Sequence, residues 1–246
     1  MDKELKKTRL IIFDLDGTLI DSAADIAASV NAVLDKFGYK TLQESDIRKF
    51  IGDGVTYLLY RSILFAQGTC KEELIDKFPE CPLPKEDFQN ILSWYLEWYK
   101  ANPVTKTVLY PGVRQLLETL KKSGYTLAVL SNKSVSISKE ILKQLEVSAF
   151  FSLICGPEDT GTKKPDSRGI DNIINILNNG KEPGKAPFEK TEIMIVGDSK
   201  IDVLTGKNSG IKTCYVKAGY GNQEQTLKLK PDFTINETKD LIPVLG

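Results

Sequence analysis

Two aspartates separated by one residue follow the first apolar run of the chain, and a glycine comes directly after them. The segment reads Ile11-Ile-Phe-Asp14-Leu-Asp16-Gly17-Thr18. Two carboxylates this close can supply hard oxygen ligands to a divalent cation such as Mg²⁺, and can act separately as nucleophile and proton donor. Asp and Gly are also common where a strand ends in a turn, so this segment does not establish the chemistry alone.

A second segment repeats the same order of residue types. It reads Ile193-Met-Ile-Val-Gly197-Asp198-Ser199-Lys200-Ile201-Asp202. If a helix begins after Asp198, Asp202 lies one helical turn further on. Acidic residues at a helix N-terminus can simply complement the helix dipole. Two such strand ends in one sheet nevertheless favour a metal site more strongly than either does alone.

Two further segments contain groups that can bind an anion. Ser131 and Asn132 follow a third apolar run and can donate hydrogen bonds to phosphate oxygens. Lys163 and Lys164 offer an ammonium group for the same anion. Each signal is weak by itself, because Ser-Asn is common in turns and lysine pairs are usually solvated.

The elements that must position these residues alternate along most of the chain. Short apolar runs bounded by turn residues predict strands buried on both faces, at residues 10–13, 127–130, 193–196 and 213–216. Apolar residues at helical spacing separate the later runs, which indicates βαβ units and a parallel sheet of the α/β class. Ligands of such sheets bind beyond the carboxyl ends of the strands, where Asp14 and Asp16 are expected.

The chain between the first and second strands has a different pattern. Its apolar residues recur at helical spacing, and no convincing strand lies between Ile20 and Val108. We therefore predict an all-helical domain over residues 22–104, inserted into a discontinuous core of residues 1–21 and 105–246. Both pieces are of ordinary domain size.

Composition excludes several classes of function. Among 246 residues, 33 basic and 33 acidic side chains balance, so no basic field favours nucleic acid. Histidine is absent, which excludes imidazole bases and histidine metal sites. Four dispersed cysteines suggest neither a zinc cluster nor a disulfide framework. No run of residues predicts a signal peptide or a membrane span, so we expect a cytoplasmic protein without membrane partners. The sequence leaves open whether it is a monomer or a homodimer.

The order of the motifs resembles the haloacid dehalogenase superfamily of aspartate-nucleophile phosphohydrolases. The DxDGT segment is followed by Ser-Asn, Lys-Pro and GDSxxD, and the match extends across nearly the whole predicted core. The resemblance implies a Rossmann-like three-layer core with a parallel sheet, and a helical cap domain inserted after the first strand. It also implies an Mg²⁺-dependent phosphatase that forms an aspartyl-phosphate.

The resemblance assigns roles to the carboxylates. Asp14 is the nucleophile, and Asp16 protonates the leaving oxygen and then takes a proton from water. The Mg²⁺ ligands are the carboxylates of Asp14 and Asp198 and the backbone carbonyl of Asp16. Ser199 and Asp202 support this site, with Asp202 as either an orienting group or a ligand.

The remaining motif residues are expected to bind the phosphoryl group. Ser131 and Asn132 donate hydrogen bonds, Gly17 lets the backbone approach closely, and Thr18 fixes the loop. Lys164 supplies the positive charge; Ser167 stands where many relatives have a second proline, which leaves Lys163 as the alternative. We choose Lys164 because Pro165 follows it directly.

More narrowly, the sequence is similar to the bacterial phosphoglycolate phosphatases. The similar segments are residues 13–22, 51–54, 110–113 and 219–221. The implied substrate is 2-phosphoglycolate, a small phosphorylated metabolite, and the cap residues expected to set specificity are Arg48, Gly52, Asp53 and Gly54.

Three alternatives remain open. The first is a phosphatase or pyrophosphatase for another small phosphometabolite. The second is a sugar phosphomutase of the same fold, although such enzymes tend to have DGV and a nearby histidine, where this chain has Asp16-Gly17-Thr18 and no histidine. The third is a non-catalytic regulator, which the complete set of motif residues argues against.

Overall fold

The chain divides into two compact units in a computed structural model. The structure describes residues 8–69, 74–75, 77–180 and 186–245. The core unit comprises Met1–Ile20 and Leu109–Gly246, and the helical unit comprises Asp21–Val108. The predicted insertion, residues 22–104, begins one residue later than the helical unit and ends four residues earlier. Cys70 and residues 1–7 of the charged N-terminal segment lie outside the described residues.

The described residues form eight strands, six of which make one parallel sheet. The strands are β1 (Leu10–Phe13), β2 (Ile20–Asp21), β3 (Val108–Leu109), β4 (Thr126–Leu130), β5 (Leu153–Cys155), β6 (Ile193–Gly197), β7 (Lys212–Val216) and β8 (Phe233–Ile235). The large sheet has the order β5-β4-β1-β6-β7-β8, and β2 pairs with β3. The predicted α/β class with a parallel sheet is confirmed.

The strand register aligns the ends of the three central strands. Phe13 of β1 lies opposite Val129 of β4 and Val196 of β6. The residues that follow these positions therefore emerge at one edge of the sheet. This edge is the carboxyl edge at which open α/β sheets bind ligands.

The described part of the helical unit is built from amphipathic helices and holds no strand of the large sheet. Helices with bounds in this part are α1 (Ala23–Lys36), α2 (Glu44–Ile47), α3 (Val55–Ala66) and α4 (Lys85–Ala101). Helix α1 contacts the other three. Its buried side chains include Ile26, Val30 and Val33, which recur three or four residues apart, as expected for one face of a helix.

Helices of the core unit connect the parallel strands. They are α5 (Val113–Lys122), α6 (Val135–Gln144), α7 (Pro157–Thr160), α8 (Arg168–Asn179), α9 (Lys200–Ser209) and α10 (Gln223–Lys228). Ile170 and Ile173 of α8 pack with Leu10 and Ile12 of β1. All four residues of β1 are buried, so both faces of the sheet are covered at its centre.

Membrane-spanning helices and disulfides can both be examined in the described ranges. No helix in the described ranges is both long and apolar enough to cross a membrane. Cys81, Cys155 and Cys214, the cysteines within those ranges, form no disulfide.

A buried carboxylate fastens the last segment of the helical unit to its first helix. Asp25 of α1 accepts hydrogen bonds from the backbone amides of Thr105, Lys106 and Thr107 at 2.8–3.0 Å, and from the Thr107 hydroxyl at 2.7 Å. Burial alone would raise the pKa of Asp25, but these hydrogen bonds favour the carboxylate and hold its pKa below the ordinary value.

We expect Asp25→Asn to destabilise the protein by about 2 kcal/mol, because it removes the charge from several hydrogen bonds. Urea unfolding measures the loss, and hydrogen exchange should show weaker protection at the amides of residues 105–107. A lowered pKa means that the stabilisation is present at neutral pH and disappears as the pH falls below about 4. The control is Asp35→Asn on the exposed side of α1; an equal effect of both variants would contradict this role.

Candidate active site

Asp14 lies directly after β1, at the carboxyl edge of the sheet. Its backbone N–H donates to the Val196 carbonyl of β6 at 2.9 Å, which fixes its position in the sheet. The Leu15 N–H donates to Asp14 Oδ1 at 2.7 Å, and Lys164 Nζ lies 2.7 Å from the same oxygen. One carboxylate oxygen of Asp14 is thus held by a cation and an amide.

Lys164 joins Asp14 to a second carboxylate. Its Nζ lies 2.6 Å from Asp202 Oδ1, and its side chain is 4% exposed. The Asn132 side chain holds the backbone of Lys164: the Lys164 N–H donates to Asn132 Oδ1 at 2.7 Å, and Asn132 Nδ2 donates to the Lys164 carbonyl at 3.2 Å. The structure therefore brings Lys164 to the cluster, whereas the neighbouring Lys163 is exposed.

Asp202 also lies in the first turn of the helix that follows β6. The backbone N–H and the hydroxyl of Ser199 donate to Asp202 Oδ2 at 3.1 and 2.7 Å, so Asp202 closes a capping box at the N-terminus of α9. Its two oxygens are thus divided between the helix cap and Lys164.

Asp198 is held by the loop that follows β7. Its Oδ2 accepts hydrogen bonds from the backbone amides of Tyr220 at 2.6 Å and Gly221 at 3.2 Å. The Thr18 hydroxyl donates to Oδ1 at 3.2 Å. A Cβ atom at Gly219 would collide with the Asp198 side chain, so the loop requires glycine there to approach this closely.

Gly17 is needed for two separate reasons. Its φ of +82° lies in the left-handed region, which is unfavourable for residues that have a side chain. A Cβ atom at this position would also collide with the Asp198 carboxylate. The DxDG turn therefore lies directly against the carboxylate that follows β6.

Together, three of these carboxylates form a compact cluster. One oxygen from each of Asp14, Asp198 and Asp202 lies within 4.8 Å of the others. Burial and the neighbouring carboxylates raise the pKa of Asp14, and burial and Asp202 raise that of Asp198 to about 7. Burial lowers the pKa of Lys164, but Asp14 and Asp202 together raise it above the ordinary value. The cluster has an excess of negative charge that suits a cation with oxygen ligands.

Asp16 forms an ion pair with a second lysine, Lys133, which is not among the residues predicted for the site. Lys133 Nζ lies 2.9 Å from Asp16 Oδ1. Lys133 directly follows Ser131 and Asn132, so its place in the chain is the signal that could have identified it. The Ser131 hydroxyl accepts a hydrogen bond from the Lys133 N–H at 3.2 Å, which leaves the hydroxyl proton available to a ligand.

The four candidate specificity residues lie in the helical unit. Asp53 Oδ2 is 2.5 Å from the Arg61 guanidinium, which is almost fully buried and also donates to the Phe50 and Lys77 carbonyls. Arg61 thus fixes the segment that contains Gly52, Asp53 and Gly54, and no sequence signal singles it out. Arg48 lies 3.5 Å from Asp21. A role of these residues in specificity stays a prediction.

Several known proteins are similar to this chain in sequence. Residues 11–216 match the family described as haloacid dehalogenase-like hydrolase. The phosphoglycolate phosphatase of Aquifex aeolicus (strain VF5) is 37% identical over 237 residues, covering 96% of each chain. That of Pseudomonas fluorescens (strain Pf0-1) is 30% identical, covering 96% of this chain and 79% of its own.

A solved crystal structure has a similar fold over nearly the whole chain. The crystal structure of a predicted phosphoglycolate phosphatase from Haemophilus somnus 129PT superposes with a TM-score of 0.81 at 26% sequence identity. The match covers 97% of this chain and 98% of that one. The similarity therefore includes both units of the chain.

We expect Asp198→Asn to stabilise the metal-free protein at pH 8. The pKa of Asp198 is raised to about 7, so the native state binds more protons than the unfolded state between about pH 4 and 7. Stability from this group therefore falls as the pH rises through that window. Asparagine keeps an oxygen for the Tyr220 and Gly221 amides and removes the buried charge.

Thermal unfolding with EDTA at pH 5 and pH 8 measures this effect. Each pKa unit corresponds to about 1.4 kcal/mol, so the difference between variant and wild type should grow by about 1 kcal/mol or more across the window. Asp35→Asn, an exposed control, should show no such growth. A difference that is the same at both pH values would contradict the assigned charge repulsion.

Proposed function

Because the chain belongs to the haloacid dehalogenase-like hydrolases, we propose that it is an Mg²⁺-dependent phosphatase that hydrolyses 2-phosphoglycolate through an aspartyl-phosphate. The observation that carries the proposal is the cluster at the end of β1, where Asp14 is paired with buried Lys164 and lies beside Asp198. Its parts match the needs of phosphoryl transfer, namely a nucleophile, a fixed cation and acidic ligands for a metal.

Asp14 acts as the nucleophile in this proposal. Lys164 and the Leu15 amide hold Oδ1, and the other oxygen, Oδ2, attacks phosphorus. An Asp14–phosphorus bond forms as the bond to the leaving oxygen breaks, and Asp16 gives its proton to that oxygen. Water then attacks phosphorus and gives a proton back to Asp16. The Asp14–phosphorus bond breaks in this step, so phosphate is released and Asp14 is restored.

The residues present fit a bound Mg²⁺ ion. We propose Asp14, Asp198 and the backbone carbonyl of Asp16 as its ligands, since Asp202 already divides its oxygens between Lys164 and Ser199. The four aspartates and the two lysines paired with them carry a formal charge of −2. A divalent cation balances this charge and, when bound, stabilises charge on the phosphoryl oxygens.

The phosphoryl group would lie between the ends of β1 and β4. Lys164 offers an ammonium group, Ser131 a hydroxyl and Gly17 a closely approaching backbone. Thr18 holds Asp198, and Asn132 holds the backbone of Lys164, so these two would act mainly by fixing the charged groups. Such fixed charges and dipoles lower the barrier because they need no rearrangement during the reaction.

The names of the relatives support the choice of substrate. Proteins 37% and 30% identical, from two different bacteria, are both named phosphoglycolate phosphatase. We propose the same small substrate here, with Arg48 and the segment of residues 52–54 setting specificity. The proposal keeps the expectation of a cytoplasmic enzyme, monomeric or homodimeric, without nucleic-acid or membrane partners.

The test is phosphate release from 2-phosphoglycolate, pyrophosphate, sugar phosphates and nucleoside monophosphates, with Mg²⁺ or with EDTA. We expect 2-phosphoglycolate to be preferred and activity to require Mg²⁺. Asp14→Asn should lose at least about 10³-fold in kcat, because no covalent intermediate can form. Mass spectrometry of acid-quenched wild-type enzyme should find phosphate on the peptide that contains Asp14.

Each outcome has a clear meaning. Preference for another phosphate ester would keep the chemistry and reject the substrate, whereas a requirement for a bisphosphate activator would indicate a phosphomutase. Activity retained in Asp14→Asn would contradict the nucleophile. Asp35→Asn provides the matched surface control.

We expect Gly219→Ala to weaken Mg²⁺ binding by about tenfold or more, the range seen when groups that orient metal ligands are changed. The new methyl group would displace Asp198 from the position set by the Tyr220 and Gly221 amides. Binding of Mn²⁺, followed by electron paramagnetic resonance, gives the affinity independently of turnover. Ala218→Ser at the exposed neighbouring position is the control; unchanged Mn²⁺ affinity in Gly219→Ala would reject Asp198 as a ligand held by this loop.

A further inference from the structure

Lys133 forms an ion pair with the carboxylate proposed as the acid and base of the reaction. Its Nζ lies 2.9 Å from Asp16 Oδ1, and the two side chains are only 8% and 13% exposed. Lysine side chains at a protein surface are usually solvated, and an ion pair there contributes little. This pair is mostly removed from solvent, and Lys164 is engaged separately by Asp14 and Asp202.

The backbone at Lys133 is fixed on both sides. Its N–H donates to the Ser131 hydroxyl at 3.2 Å, and Glu158 Oε2 accepts from the Val135 N–H at 3.1 Å. The Lys133 carbonyl lies so close to Gly156 that a Cβ atom there would be 2.8 Å away. The turn between β4 and α6 thus presents the lysine from a rigid position.

An ammonium group restricts where Asp16 can carry a proton. It has three N–H donors and no acceptor, so it binds only to a lone pair of an oxygen atom. While Lys133 holds Oδ1, that oxygen acts as an acceptor in both protonation states. The transferable proton must then reside on the other oxygen, Oδ2.

We propose that Lys133 is a positioning residue that holds Oδ1 of Asp16 so that Oδ2 donates and accepts the proton. This inference rests on the proposed phosphatase reaction. In the first step, the proton on Oδ2 passes to the leaving oxygen as the phosphorus–oxygen bond breaks. In the second step, a proton of the attacking water returns to Oδ2 as the Asp14–phosphorus bond breaks.

Two substrates with different leaving groups test the proposal in Lys133→Met. The alkoxide of 2-phosphoglycolate needs a proton to leave, whereas p-nitrophenolate is stable without one. General acid catalysis contributes about 10²- to 10⁴-fold, so we expect kcat/KM for 2-phosphoglycolate to fall by about 10²-fold. For p-nitrophenyl phosphate, kcat/KM should change by less than about threefold, because formation of the aspartyl-phosphate no longer needs the acid.

Rapid mixing with p-nitrophenyl phosphate tests the second step. In Lys133→Met, loss of the oriented base should slow hydrolysis of the intermediate, so p-nitrophenolate should appear in a burst equal to the enzyme concentration. Lys133→Arg keeps the charge and the donors, and it should recover most of the activity with 2-phosphoglycolate. Lys143→Met, on the exposed face of α6, is the matched control.

A double-mutant cycle separates positioning from direct phosphate binding. If Lys133 acts through Asp16, then Lys133→Met should cause little further loss in an Asp16→Asn background. If Lys133 instead binds phosphate, the two losses should multiply and both substrates should suffer equally. Equal losses for both substrates, or no loss with 2-phosphoglycolate, would overturn the positioning role. Wild-type enzyme that hydrolyses neither ester would instead reject the proposed function.

Discussion

The Lys164 ammonium is buried between the carboxylates of Asp14 and Asp202, and the geometry of the candidate site depends on this contact. A buried charge is costly unless it is paired and hydrogen-bonded, so the three groups cannot separate without a large penalty. Asp14 directly follows β1, Asp202 lies in the first turn of α9, and Asn132, which follows β4, holds the backbone of Lys164. One cation thus fixes three loops that are far apart in sequence.

The contact of Lys164 with Asp14 and Asp202 also gives the clustered carboxylates different surroundings. Lys164 balances only part of the negative charge, and the pKa of both Asp14 and Asp198 is raised, mainly by burial. Asp202 is committed to Lys164 and to the Ser199 cap, whereas Asp198 is held by amides on Oδ2. The protein therefore positions Asp202 with a cation and Asp198 with backbone dipoles, while Asp14 and Asp198 remain the carboxylates proposed as metal ligands.

The central part of the fold could be predicted because its sequence pattern is strong. The strands β1, β4, β6 and β7 are apolar and buried, which makes them predictable. The strands β5 and β8 are three residues long and only partly buried, so their sequences give no comparable signal. Donation from Asn132 to phosphate stays a prediction, and the structure adds a contact that the motif does not indicate, between the Asn132 amide and the backbone of Lys164. A contact between residues 32 positions apart depends on strand order and register, which local pattern does not specify.

The motif order supplies the identities of the charged residues but not their pairing. Any of the lysines near the sheet edge could in principle meet any of the aspartates, and Coulomb attraction alone does not choose among them. The pairing is determined by the register of β1, β4 and β6 and by the rigid turn after β4. As a result, Lys164 pairs with Asp14, and Lys133 pairs with Asp16. Two aspartates two residues apart thereby receive different cations in different surroundings. This difference is what would let one remain a nucleophile while the other exchanges a proton.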